Sequence, residues 1–463
     1  MTEWLPEDLP REGRRYLAIT QALERDIRSG RLRPGDQLPT HRDLAFKLGV
    51  SVSTASRAYT EAAARRLIVS EVGRGSFVLP SPYSDQVRQV FDQKNTGGTD
   101  LGYNCAIDSP HVASALSASL AEISSGNRLP RLIAYERPYV GLLEHRQAAV
   151  AWIEMLGLRA HPDQIVMVAG AQHAMATIFA SVTKPGDTIL TEELTDPGLT
   201  FLCAGHHLKL RGVPMDKDGI IPSAFDAACR AGEAKALFCM PNHQSPTLAV
   251  MPTSRRQEIA SIAERHDLII VENDTYGAFQ DPPLPALSTY APERSFYLTS
   301  LSKILAPGLR IGFVVAPPGR AIDLVRGLGA TSWMASPITA EIASHWIRTG
   351  TAARLAALQR KELIRRHDLL KKSLGGFEYN ELPSSLHVWM PLPPNWRADA
   401  LTRQAKARGV IIVPSEVFVI GHNPAPQAVR ISLGAVGRPD LKNALETLSD
   451  VLHGQAEANL MIL

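Results

Sequence analysis

Lys303 stands in Thr-Ser-Leu-Ser-Lys-Ile-Leu-Ala-Pro-Gly-Leu-Arg-Ile-Gly-Phe, residues 299–313, with Ser300 and Ser302 before it and Arg310 beyond a Pro307-Gly308 turn. An amine that attacks a carbonyl must be deprotonated and fixed in place. Two hydroxyl donors, and a guanidinium that a turn can bring back to them, make a seat for phosphate beside such an amine. A second piece lies upstream in Val-Ala-Gly-Ala-Gln-His, residues 168–173. There Gly170, Ala171 and Gln172 end a strand-like run and open a helix, whose first amides can hold an anion. A phosphorylated aldehyde joined to lysine is pyridoxal phosphate (PLP). Each piece alone is an ordinary loop or helix start; their order along the chain is what joins them.

The elements that must position these groups alternate. Gln-Ile-Val-Met-Val-Ala-Gly, Asp-Thr-Ile-Leu-Thr-Glu-Glu, Leu-Lys-Leu-Arg-Gly-Val-Pro-Met, Lys-Ala-Leu-Phe-Cys-Met-Pro, Asp-Leu-Ile-Ile-Val-Glu-Asn-Asp, Ser-Phe-Tyr-Leu-Thr-Ser-Leu-Ser and Arg-Ile-Gly-Phe-Val-Val-Ala-Pro are short apolar runs separated by helical patterns. Such alternation predicts an α/β domain with a mostly parallel sheet, over residues 105–335. Residues 336–463 change character: long Ala/Leu/Arg helices, then the strand-like Ser-Leu-His-Val-Trp-Met-Pro-Leu, Val-Ile-Ile-Val-Pro-Ser and Ala-Val-Arg-Ile-Ser-Leu-Gly, and a closing helix. These predict a smaller α+β domain.

At 463 residues, 45% hydrophobic and 21% charged, the chain reads as a soluble globular protein of two or three units. No apolar run is long enough to span a membrane and no signal peptide opens the chain. Cys105, Cys203, Cys229 and Cys239 are scattered. That pattern fits a reducing cytoplasm and excludes a disulfide framework or a zinc site. The net charge of +3 is uneven: between Arg11 and Leu79, 13 Lys+Arg stand against 7 Asp+Glu, which leaves −3 for the rest. A basic head on a mildly acidic body points to a polyanionic partner for the head.

Within the head, residues 12–79, Tyr16, Ile19, Leu23 and Ile27 recur at helical spacing up to Gly30. Thr40 and Asp43 form a start signal for a second helix that Gly49 ends, and Ser51 or Ser53 opens a third through Ala55, Ala58, Tyr59 and Ala62. Two short strands follow around Gly73-Arg74-Gly75. Three helices and a hairpin predict a winged helix-turn-helix that lays its third helix in the major groove of double-stranded DNA. Ser51, Ser53, Thr54 and Arg57 cluster where they can meet phosphates or base edges. Residues 80–104, with prolines, polar residues and a Gly-Gly pair, read as a flexible linker.

Residues 35–78 resemble the DNA-binding domain of the GntR regulators. That resemblance assigns Arg42 to DNA, and Gly73 and Gly75 to a wing tip that approaches a groove. Many relatives open the recognition helix Val-Ser-Arg, whereas this chain has Val50-Ser51-Val52 and loses a base reader. From about 105 to 452 the chain resembles the fold-type I aminotransferases of the aspartate aminotransferase group. The resemblance implies a Schiff base on Lys303 and phosphate contacts from Ser300, Ser302 and Arg310. It also implies a clamp on a carboxylate from Arg430. Head and body together resemble the MocR/GabR regulators, which implies a homodimer whose sites are completed by the partner chain.

Three seats depart from that group. Asp196 stands where an aromatic ring stacks on the cofactor, and Ser245, in Ser-Pro-Thr, replaces an asparagine that reaches the ring hydroxyl. The acid that keeps the pyridine nitrogen protonated falls on Asn273 by its offset from Tyr276, or on Asp274 after a shift of one residue. A site altered in this way suits a sensor that binds PLP, and an amino compound or PLP itself as effector, better than a catalyst. The alternative is an active aminotransferase with an autoregulatory DNA-binding head. His173, beside the phosphate segment, reads equally as a cofactor contact or a helix cap. Arg-Arg-His-Asp-Leu-Leu-Lys-Lys, 365–372, reads as the solvated face of a helix and not as a nucleic-acid patch.

Overall fold

The computed structural model describes residues 4–6, 14–28, 31–32, 36–65, 67–71, 75–78, 97–134, 139–232, 234–421 and 424–460. The described chain falls into two compact units that divide between Thr96 and Gly97. Gly30, Gly73, Arg74 and linker residues 80–96 lie outside the described residues.

The first unit holds helices α1 (Arg15–Arg28), α2 (His41–Leu48) and α3 (Val52–Ala64), then the antiparallel strands β1 (Ile68–Glu71) and β2 (Gly75–Val78). Each predicted start signal is used. Asp43 N–H donates to Thr40 Oγ1 at 3.2 Å, and Thr54 N–H donates to Ser51 Oγ at 3.1 Å, so Ser51 is the cap of α3. Gly49 takes a left-handed conformation, φ +61°, which reverses the chain between α2 and α3 at no Cβ penalty. Ala55, Ala58, Tyr59 and Ala62 bury one face of α3 with Ile19 and Leu23 of α1. Three alanines on that face let the two helix backbones approach closely.

The second unit is built on a seven-stranded sheet. Its strands are β3 (Ile165–Val168), β4 (Thr188–Glu192), β5 (Lys209–Val213), β6 (Ala234–Cys239), β7 (Ile269–Asn273), β8 (Ser295–Ser300) and β9 (Gly312–Val315). Their order across the sheet is β3-β9-β8-β7-β6-β4-β5. All neighbours are parallel except β9, which runs antiparallel to both β8 and β3. Both faces are covered, as a parallel sheet requires. In β6, Ala236 and Phe238 enter one core while Leu237 and Cys239 enter the other. Withdrawing Leu237 or Phe238 from water contributes about 1.5–3 kcal/mol each.

A second, antiparallel sheet of three strands joins β10 (His387–Pro391), β12 (Ala428–Ser432) and β11 (Val413–Pro414), with β12 in the middle. Its residues Val388, Val429 and Ile431 belong to the same core as the large sheet. The tether expected to reach residue 104 ends earlier. Thr99–Asp100 pairs in parallel with Val410–Ile411, and Leu101 and Asn104 are buried, so residues 97–104 belong to the body. Among the described residues no helix is long and apolar enough to cross a membrane.

Candidate functional site

Parallel strands that end together gather the groups on the loops beyond them. Strand β8 ends at Ser300, and the turn that follows carries Lys303. The Lys303 ammonium donates to the carbonyl of Asn104 and lies 6.0 Å from the centre of the Tyr276 ring. Asn104 continues the assembly. Its Nδ2 donates to Tyr276 Oη at 2.9 Å and to His387 Nδ1 at 3.0 Å, while His387 Nε2 donates to the Pro246 carbonyl at 3.1 Å. Burial, with Arg430 nearby, holds the His387 imidazole well below its ordinary pKa, so the ring is neutral and its tautomer is set by these two partners.

The phosphate segment predicted from two distant motifs comes together. Gly170 caps the helix Ala171–Val182 at φ +87°. A Cβ there would lie 2.8 Å from Arg310 Nη2 on a backbone of positive φ, so a side chain at this position would be strained and would push the guanidinium from the helix start. Arg310 Nη2 also donates to Ala169 O at 3.3 Å. Among the described residues the buried Ser302 hydroxyl has no hydrogen-bond partner. Gln172 turns its side chain away, Nε2 donating to Gly198 O at 2.9 Å, so its contribution to the segment is its backbone. His173 is engaged within the protein: its Nδ1 accepts from Ala169 N–H at 2.9 Å and its Nε2 lies 2.7 Å from Thr331 Oγ1.

At the far end stands Asp274, fully buried. Its Oδ1 accepts from Asn242 Nδ2 at 2.8 Å and its Oδ2 from Tyr297 Oη at 2.6 Å. Burial raises its carboxyl to about 7, helped by Glu272 and opposed by those two donors. Asn273 spends its side-chain carbonyl on Thr275, accepting from the backbone N–H at 3.2 Å and from Oγ1 at 2.8 Å. Of the pair left open by the sequence, Asp274 is therefore the one with a carboxylate held from two sides.

Arg430, in the middle strand of the small sheet, is buried and lies 4.8 Å from the Phe418 ring centre. It donates to Ser245 Oγ at 3.3 Å and to Gly102 O at 2.9 Å, and among the described residues its Nε has no partner. Ser245 thus meets Arg430. Asp196 serves as a helix cap, Oδ1 accepting from Gly198 N–H at 2.8 Å, which accounts for a short acid in that seat. Asn104, Asn242, Tyr297 and His387 escaped the sequence reading because no local pattern marks them. In the 365–372 segment one expectation fails: Arg366 and His367 are buried. Arg366 donates at 2.6 Å to the carbonyls of Leu433 and Val436, which draw the cation inward.

On the head, Arg42, Ser51, Ser53 and Arg57 are exposed. Ser51 Oγ is within 2.8 Å of both Ser53 Oγ and Thr54 Oγ1, and the Arg57 guanidinium stacks 4.3 Å over Tyr16. Val52, in the seat of the relatives' arginine, is 48% exposed and presents an apolar surface instead. Gly75, at φ +111°, leaves room for the Gln37 amide, 2.8 Å from the place of a Cβ.

Residues 121–448 match the model of the family Aminotransferase class I and II. The chain belongs to that family. Residues 15–78 match the bacterial regulatory proteins of the gntR family, so a regulator's head is fused to an aminotransferase-like body, the MocR-type architecture. The chain is 29% identical to the uncharacterized HTH-type transcriptional regulator YdeF of Bacillus subtilis, over 93% of each. It is 26% identical to the HTH-type pyridoxine biosynthesis transcriptional regulator PdxR of Corynebacterium glutamicum, over 79% of this chain and 80% of that one. Among solved structures, an archaeal alanine:glyoxylate aminotransferase superposes with a TM-score of 0.72 at 20% identity, covering 81% of this chain and 96% of its own. That likeness is one of fold. PLP is the cofactor the family implies, and the residues fit it: a glycine cradle beside Arg310, an unpartnered buried hydroxyl at Ser302, an amine and a buried acid.

Proposed function

We propose that this chain is a PLP-dependent DNA-binding transcriptional regulator whose body binds PLP on Lys303 and senses an amino compound, or PLP itself. The observation that carries the reading is the meeting of Lys303, the Gly170–Arg310 cradle and buried Asp274 in a chain with a GntR-type head. Bound there, PLP supplies an electrophilic carbon for a primary amine and an electron-withdrawing ring. Arg310 would balance the charge of its phosphate, and Ser300, Ser302 and the amides of Gly170, Ala171 and Gln172 would donate hydrogen bonds to it. Asp274 would hold a proton at the ring nitrogen, and Arg430 would offer an effector carboxylate its Nε, which has no partner among the described residues. Tyr276, its hydroxyl already anchored by Asn104, borders the amine.

The head reads an operator through Arg42, the start of α3 and the wing residues Gly73, Arg74 and Gly75. The protein acts as a homodimer, so that two heads meet two half-sites. Regulation requires only that the effector prefer one of two arrangements of the body. Asp196 tied to its helix and Ser245 tied to Arg430 favour sensing over turnover. The test is the visible absorption of the purified protein with PLP, before and after borohydride, beside Lys303→Ala and a parallel DNA-binding titration. A visible band that borohydride abolishes while leaving the cofactor covalently attached, and that Lys303→Ala lacks, together with DNA binding that responds to amino compounds or PLP, supports the reading. Steady transamination of an amino acid with no effect on DNA binding would favour the autoregulatory enzyme.

A further inference from the structure

Behind Asp274 the polar contacts continue inward. The Asn242 amide that donates to Asp274 accepts, on its oxygen, from Arg256 Nη2 at 2.6 Å. Arg256 is fully buried in the helix Thr253–Arg265. Its remaining donors end on backbone carbonyls: Nε on Met251 at 2.8 Å, Nη1 on Pro285 at 3.0 Å, and Nη2 also on Pro241 at 3.3 Å. An amide has opposite polarity at its two ends, whereas a guanidinium only donates. Arg256 therefore fixes the oxygen of Asn242 toward itself and the amino group toward Asp274. Reversed, the amide would set its oxygen against a carboxylate and its N–H groups against a cation.

We infer that Arg256 is a positioning residue for the cofactor's ring nitrogen, acting through Asn242 to keep Asp274 an ionised acceptor. The inference rests on the PLP site proposed above. Four groups bear on Asp274. Glu272, whose own oxygens accept from Leu287 N–H, Ser288 N–H and Ser288 Oγ, works against the charge, and Tyr297, Asn242 and Arg256 favour it. Burial has brought the carboxyl to about 7, so at neutral pH small changes among these donors decide its state. Arg256 itself is too deep to touch a ligand, which separates its role from that of the contacting residues.

The experiment titrates PLP into the full-length protein by absorbance across pH, for the native chain, Arg256→Met, Arg256→Lys and Tyr297→Phe. Loss of one hydrogen bond to a charged group corresponds to about tenfold in affinity. Arg256→Met and Tyr297→Phe are each expected to weaken PLP by about tenfold and to move the pH at which the bound band changes. Arg256→Lys, which keeps a cationic donor, is expected to recover part of both. Native affinity and pH profile in Arg256→Met, beside a displaced Tyr297→Phe, would overturn the inference and leave the PLP site standing. If Arg256→Met does not fold, Asn242→Ala keeps the guanidinium and must show the same loss; native behaviour there overturns it equally. A native chain that takes up no PLP removes the site itself, and the inference with it.

Discussion

The two ends of the cofactor site are built on different plans. At the phosphate end, Arg310 lies against a glycine at a helix start and the Ser302 hydroxyl has no partner among the described residues, so donors stand ready for an anion. At the ring end, Asp274 is already enclosed by Asn242 and Tyr297, with Arg256 behind them. One end is open and contributes binding energy. The other is closed and sets the state of a single proton. A sensor needs both, but they should fail differently when altered.

Arg310→Gln should show the largest effect. It removes charge-assisted contacts to phosphate, and a PLP affinity weaker by about a hundredfold is expected, with the pH profile of the bound band unchanged. Equilibrium dialysis and absorbance read the two separately, and a moved pH profile would blur the distinction between the ends.

Asp274→Asn probes the closed end through stability. The native carboxyl titrates near 7, against an ordinary value of 3.8. Between those values the folded, cofactor-free chain holds a proton that the unfolded chain has released. Its contribution to stability is therefore full at low pH, falls as pH rises through that window, and is lost above about 7. Glu192, buried and also raised to about 7, shares this slope. Denaturant unfolding at about pH 5 and about pH 8 should show a shallower decline for Asp274→Asn than for the native chain, by an amount on the order of a few kcal/mol. An equal decline would mean that Asp274 is not the poised group.

Gly170→Ala places a methyl group in a left-handed backbone and against Arg310. About tenfold weaker PLP binding and a loss of about 1–2 kcal/mol in unfolding free energy are expected. The smallest effect is reserved for Ser302→Ala. Removing an unpartnered buried hydroxyl should leave the cofactor-free chain as stable or slightly more so, while PLP affinity drops by a few-fold. Opposite signs in these two measurements are the signature of a donor kept for a ligand.

The same division governs what the sequence disclosed. The phosphate end sits on two short motifs, 168–173 and 299–313, each legible because a Pro-Gly turn or a helix start shapes the chain within a few residues. All seven strands of the large sheet were marked by apolar runs, yet nothing in Gly312–Val315 reveals that β9 runs against its neighbours. An apolar run carries no direction. The ring end draws Asn242, Arg256, Asp274 and Tyr297 from four elements, and only the completed sheet brings them together. Arg366 misled for a related reason: a cation on an exposed-looking helix turns inward when backbone carbonyls, here those of Leu433 and Val436, await it. Residues 97–104 read as tether because a two-residue strand such as Thr99–Asp100 leaves no periodic trace.

Two of the buried donors that find no acceptor among the described residues, Ser302 Oγ and Arg430 Nε, lie in this one site. Each disfavours the unliganded fold by the desolvation it has undergone without compensation, about 1–3 kcal/mol for a neutral group and more for a charged one. A ligand that brings an anionic oxygen to either donor therefore raises the melting temperature out of proportion to its size. Screening small phosphates and amino acids by thermal shift would then rank candidate effectors before any operator is known.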